Sequence, residues 1–262
     1  MIAIDPPTLT PLNSIFLFGT AFLGGGLNAV AGGGSFITFP TLIFTGVLPI
    51  AANATNNTAM WVAGLASAGA YRKDLDMQGR SILILSITSL VGGILGAIAL
   101  LFTSPDVFKK LIPYLLLLAT LVFIFGESIK ARIQALSQKS SSEPPSLLSL
   151  VVAQLAIAIY GGFFGAGIGI LMLATLTLSG IKNIHAMNAL KAFLATCING
   201  IAIVPFIFAG VIVWPQALLM AVGGSLGGYI IARFARKIQP AIVRRFVAIV
   251  AVSMTAYFFI LG

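Results

Sequence analysis

Apolar runs of helix length follow one another along almost the whole chain, and no soluble fold could hide them all. Ten can be marked, at about 12–31, 35–48, 53–71, 81–103, 107–128, 147–165, 168–181, 186–209, 214–232 and 241–261. A helix needs about 20 apolar residues to cross the hydrocarbon layer. The chain is 59% hydrophobic and 8% charged, whereas ordinary soluble domains are about 25% charged. The solvent must therefore be lipid, and the expected fold is an all-α polytopic membrane protein. The opening "MIAIDPPTLTPLNS" places no basic residue ahead of its apolar run. That run reads as a retained helix, not a cleaved signal.

The second and seventh segments are too short to cross comfortably, and each follows a glycine cluster. One polar stretch, "KARIQALSQKSSSEPPS" at 130–146, divides the chain almost in half. The expected organisation is a first repeat at 1–129, a cytoplasmic linker at 130–146 and a second repeat at 147–262. The halves match in order. "GGGLNAVAGGGSFITFPTLIFTGV" faces "IYGGFFGAGIGILMLATLTLSGI", Gly46 pairs with Gly180, Ala52 with Ala186, and "GGILGA" (92–97) with "GGSLGG" (223–228). Five segments per half put the second half upside down, giving inverted repeats. The short segments then read as broken or re-entrant helices.

The charge, +9, fits topology better than nucleic-acid binding. With both termini outside, Arg72, Lys73, Arg80, Lys130, Arg132, Lys139, Lys182, Arg233, Arg236, Lys237, Arg244 and Arg245 fall inside. Only Lys109 and Lys110 fall outside, and Lys191 lies within a segment. Such a bias marks the cytoplasmic side of a cell-membrane protein.

Inside lipid a helix can break only where protein or a wet cavity satisfies the freed backbone groups. "AGGGS" at 31–35 and "GAGIG" at 165–169 are therefore expected to face a cavity. A helix that starts at such a break presents free N–H groups and its positive dipole end, which is an anion site. Tight helix packing is the other use of glycine in membranes, and it is the expected role of "GGILGA" and "GGSLGG".

"AANATNNTAM" at 51–60 sets Asn53, Thr55, Asn56, Asn57 and Thr58 at the start of an apolar run. Asn53, Asn56 and Asn57 are three or four apart and share a helical face. N-capping accounts for Asn53 but not for the deeper residues. Its counterpart is "HAMNALKAFLATCING" at 185–200, where Lys191 aligns with Asn57, Asn188 shares the Lys191 face, and Asn199 lies deeper. An intramembrane ammonium is a functional candidate by default. Snorkelling to the interface is its other reading. His185 reads as a solvated interfacial residue and Cys197 as a small packing residue. The six carboxylates, Asp5, Asp74, Asp76, Asp106, Glu127 and Glu143, all lie in loops or near segment ends. A carboxylate cation site is thus not expected, and no metal or cofactor is implied.

The glycine cluster before "FITFP", followed by "TGVLPIAANATNN", resembles the TauE/SafE family of sulfite and organosulfonate exporters. Gly32, Gly33, Gly34, Pro40, Gly46, Ala52, Ala54 and Thr55 carry the likeness. In the second half Ala174 stands where a proline is expected, and "HAMNALKAF" lacks the Ala-Thr pair. The resemblance implies export of sulfite, sulfoacetate or another organosulfur oxyanion. Residues and resemblance together predict a secondary transporter working by alternating access, not an enzyme. The substrate site is expected to draw on Gly32, Gly33, Gly34, Ser35, Asn53, Thr55, Asn56, Asn57, Gly165, Gly167, Asn188 and Lys191. An anion channel or a permease for a small carboxylate would use the same chemistry. The partners expected are the anionic substrate and the lipid bilayer, and a homodimer is compatible with the sequence.

Overall fold

A computed structural model describes residues 9–30, 32–68, 80–139, 147–178, 184–235 and 240–261. Among them the chain is all helical. The helices are α1 (Pro11–Val30), α2 (Ser35–Phe44), α3 (Pro49–Ala68), α4 (Arg80–Phe102), α5 (Pro105–Lys139), α6 (Leu147–Phe163), α7 (Ile168–Leu178), α8 (Ile184–Ala209), α9 (Trp214–Ala235) and α10 (Pro240–Ile260). Five of them contain stretches long and apolar enough to cross a membrane: α1, α4, α5, α8 and α10. Phe102 and Phe208 are each 87% exposed on the outside of the bundle. In water such a surface would drive aggregation; in hydrocarbon it is ordinary solvation.

Three boundaries differ from the sequence expectation by four residues or more: α2 ends at Phe44 and not at 48, ahead of the positive-φ turn at Gly46. Helix α3 starts at Pro49 and not near Asn53. Proline is well placed in a first helical turn because its missing N–H would have no partner there. Helix α5 runs on to Lys139, so the first ten residues of the polar stretch continue the helix. "KARIQALSQK" contains no glycine or proline and is rich in good helix formers. Residues 140–146, and Gly180 with its pairing to Gly46, lie outside the described residues.

Lipid offers no hydrophobic drive between helices, so close van der Waals approach must hold the bundle together. Glycine supplies it at two long seams. Helix α1 lies along α9: a Cβ at Gly227 would overlap the Phe22 carbonyl, and one at Gly25 the Gly224 carbonyl. Helix α4 lies along α6: a Cβ at Gly96 would overlap the Ile159 carbonyl, and one at Gly162 the Gly93 carbonyl. Along the first seam Gly223 meets the Phe18 carbonyl and Gly227 that of Phe22, and along the second Gly92 meets the Leu155 carbonyl and Gly96 that of Ile159, so the numbers rise together and each pair is parallel. "GGILGA" and "GGSLGG" are thus packing elements.

The helix pairings exchange when α1–α5 are swapped for α6–α10. The α1–α9 seam answers to α4–α6, α3–α9 to α4–α8, and α2–α10 to α5–α7. At the centre of this exchange α5 crosses α10. Tyr114 meets Phe259 with ring centroids 5.3 Å apart, Thr120 bonds Thr255 at 2.9 Å, and Arg244 bonds the Phe123 carbonyl at 3.1 Å. Numbers rise on one helix as they fall on the other, so α5 and α10 are antiparallel.

Gly227→Val should lower the melting temperature in detergent sharply, because a backbone carbonyl cannot yield as a side chain can. Overpacking ordinarily costs about 1–3 kcal/mol, and this site belongs at or above the top of that range. Gly19→Ala has nothing within 4 Å of the new methyl and should be neutral or stabilising by up to about 1 kcal/mol.

Candidate functional site

Both short helices begin at a glycine-led break. Gly32 and Gly33 have φ of +80° and +87°, and Gly165 and Gly167 have φ of +83° and +81°. A side chain would be strained at each of these positions. The chain therefore stops α1 and α6, turns sharply, and starts α2 and α7 within four residues.

The first break is largely closed by its own surroundings. The Gly34 amide donates to the Asn28 side-chain oxygen at 2.7 Å, so α1 caps the start of α2. Asn56 on α3 accepts from the Thr38 hydroxyl and donates from Nδ2 to the Ser35 hydroxyl at 3.3 Å. A Cβ on Gly33 would lie 2.7 Å from Val247 and 3.2 Å from the Phe123 ring. Phe123 meets Phe36 edge to face, and the Arg244 guanidinium sits 5.9 Å from the Phe123 ring centre. Arg244 thus reaches into the bundle behind the first break, where cation and ring attract. Only Gly32 faces open space: a methyl added there would meet nothing within 4 Å.

The second break is tied differently. Asn53 donates from Nδ2 to the Phe163 carbonyl at 2.9 Å, meeting a C-terminal acceptor of α6 that has no partner inside the helix. Asn53 is 2% exposed and lies one turn inside α3. The N-cap reading of this residue therefore fails: its side chain serves the other half of the molecule. Tyr160 donates its hydroxyl to the Ala166 carbonyl at 2.9 Å, which pins the turn itself. Lys191, half-buried on α8, lays its stem against the first turn of α7: a Cβ on Gly169 would sit 3.5 Å from its Cδ and 3.9 Å from its Cε. Asn199 lies by the turn, with Oδ1 3.8 Å from a Cβ on Gly165.

The expected site residues therefore divide. Gly165, Gly167 and Lys191 gather at the second break, with Asn53 beside it. Gly32, Gly33, Gly34, Ser35 and Asn56 gather at the first. Thr55 is fully buried and accepts from the Val213 amide at 3.0 Å, at the entrance to α9. Asn188 is on α8, and its side chain lies outside the described residues. Adjacent helix positions point 100° apart, so Asn56 turns to α2 while Asn53, Asn57 and Trp61 follow one stripe of α3. Trp61 donates from Nε1 to the Thr196 carbonyl at 3.0 Å and packs on Gly200. The side chains of Asn57 and Asn199 make no hydrogen bond among the described residues, and the Oδ1 of each is buried.

Sequence reasoning did not single out Asn28, Thr38, Tyr160 or Arg244. Asn28 and Thr38 had a signal: they flank the glycine triplet within one turn on either side. Arg244 looked like one of a cytoplasmic cluster, and only the α5–α10 crossing turns it inward.

The family model described as "Sulfite exporter TauE/SafE" matches residues 17–258. The chain belongs to this family. It is 30% identical over 240 residues to "Probable membrane transporter protein ORF9" of a Sinorhizobium species, covering 91% of this chain and 89% of that one. It is 30% identical over 243 residues to a "Probable membrane transporter protein" of Haemophilus influenzae, covering 92% of each. It is 29% identical over 257 residues to "Probable membrane transporter protein YfcA" of Escherichia coli, covering 95% and 90%. No solved structure matches. The TauE/SafE chain is thus a multi-pass membrane transporter.

Replacing Asn53 with leucine leaves the Phe163 carbonyl buried without a donor. The variant should lose about 1–3 kcal/mol of stability, read as a lower melting temperature in detergent. An unchanged melting temperature would show that Asn53 does not hold the break.

Proposed function

We propose that this TauE/SafE transporter exports a small oxyanion, sulfite or an organosulfur relative, across the cell membrane by alternating access. The observation that carries the reading is the meeting of Lys191 with the first turn of α7. An ammonium stem and the amino end of a half-helix occupy one place, beside a break whose glycines admit a close ligand. Helix N-termini favour negative charge, and lysine binds oxyanions as a compact point charge. The family's printed description, a sulfite exporter, supports sulfur oxyanions over carboxylates.

The exchange of helix pairings between halves, with α5 and α10 antiparallel, supports inverted repeats rocking about the α5–α10 crossing. Both termini then lie outside. An inside-negative potential of 100 mV favours exit by about 2.3 kcal/mol per negative charge, so export needs no intramembrane carboxylate. In this reading Gly165, Gly167, Lys191 and Asn57 form the nearer wall, with Asn188 on the same helix as Lys191. Gly32, Gly33, Gly34 and Ser35 contribute the second half-helix, while Asn53, Thr55 and Asn56 hold the breaks in shape.

The test is sulfite flux in proteoliposomes, with trans-side sulfite expected to accelerate exchange. A channel shows no such counterflow, and its absence would overturn alternating access. Lys191→Met keeps the stem on Gly169 and removes the charge. It should cut flux by about tenfold or more, the worth of a charge-assisted hydrogen bond. Full activity in this variant would remove the lysine from the site.

A further inference from the structure

Two primary amides stand unpaired in the middle of the bundle. Buried polar groups are almost always hydrogen-bonded, and the side-chain amides of Asn28, Asn53 and Asn56 all have partners, while Gln216, whose Oε1 is also buried without a hydrogen bond, has an interaction elsewhere. Asn57 and Asn199 have none among the described residues, and each buries its Oδ1. They come from opposite halves of the chain. Asn57 sits between Asn53, which bonds Phe163, and Trp61, which bonds Thr196. Asn199 adjoins Gly165 and follows Thr196 by three residues. Both therefore border the second break from the α3–α8 side. Both residues as a whole are half-buried.

A buried acceptor oxygen without a donor costs about 1–3 kcal/mol, so something must supply donors when the site is filled. A fully ionised oxyanion has only acceptors and would satisfy Nδ2 but not Oδ1. A sodium ion would satisfy Oδ1 but leave the Nδ2 donors of the same amides without an acceptor. A singly protonated oxyanion does both. Its O–H donates to Oδ1 while an adjacent oxygen accepts from Nδ2, the paired pattern a primary amide makes with an acid group. The match holds whichever way each amide is turned.

We propose that Asn57 and Asn199 select the substrate in its singly protonated form, so that the carried species is bisulfite or another monoanion bearing an O–H. This rests on the reading of the chain as an oxyanion exporter. Sites that hydrogen-bond a substrate hydroxyl reject analogues lacking it strongly, by up to about 10⁴-fold.

The experiment compares sulfite with methanesulfonate, which carries no proton near neutral pH, in proteoliposomes at equal internal and external pH. Sulfite flux should fall about tenfold per pH unit once the pH exceeds that at which bisulfite loses its proton. Methanesulfonate should be carried at least about 100-fold more slowly than sulfite at neutral pH. Asn57→Leu and Asn199→Leu should narrow that gap as they slow sulfite. Equal flux of the two anions, or sulfite flux that rises with pH, would overturn the inference and leave the exporter reading intact. Flux that vanishes when sodium is replaced by N-methylglucamine at fixed pH would assign the two oxygens to sodium and overturn it as well. No flux of any anion would sink the exporter reading and this inference with it. The wild-type arms do not depend on whether the leucine variants fold.

Discussion

Hydrocarbon cannot hydrogen-bond a peptide group, and that single fact organises this molecule. Every interruption of a helix must be satisfied by the protein itself. Two glycine-led interruptions occur among the described residues, and each is answered by a side chain of the interrupted helix together with an asparagine of α3. At the first, Asn28 takes the Gly34 amide while Asn56 binds Ser35 and Thr38. At the second, Asn53 takes the Phe163 carbonyl and Tyr160 the Ala166 carbonyl. Asn53 belongs to the first half and Phe163 to the second. The break in one repeat is thus held by a helix of the other, which couples the shape of the site to the relation between the halves.

The same constraint separates scaffold from site. Asn53, Thr55 and Asn56 look from their types like a ligand-binding field, but their polar atoms meet backbone or neighbouring hydroxyls. Asn57 and Asn199 do not. In a low-dielectric interior a satisfied amide stiffens the fold, and an unsatisfied one is costly; the proposed reading gives these two to the substrate. Lys191 adds charge at the second break, and Arg244 lies against the Phe123 ring beside the first. The two breaks are therefore alike in backbone and unlike in electrostatics. Under the proposed export cycle, that asymmetry puts the cargo off-centre, nearer α7 than α2.

Close packing completes the picture. With no water to expel between helices, the α1–α9 and α4–α6 seams rely on glycine faces that bring backbones together. These seams join helices of opposite halves, so under the proposed cycle any rocking passes around them and not through them. The α5–α10 crossing, with its threonine pair, joins the two helices that the exchange of halves interchanges, and it is the natural pivot.

The sequence alone determined the solvent, the ten helical segments and the two breaks. Apolar run length, glycine clusters and the recurrence of both in each half are local properties that lipid enforces directly. The boundaries slipped most at the end of α2, at Pro49 and along the polar end of α5, where local chemistry tolerates either state. What the tertiary structure decided is which polar residues are spent on the scaffold and which remain. Asn56 and Asn57 are neighbours of one residue type, and nothing local distinguishes them. A turn of 100° sends one toward Thr38 and Ser35 and leaves the other without a partner among the described residues, because the helices that meet α3 on its two sides come from distant parts of the chain.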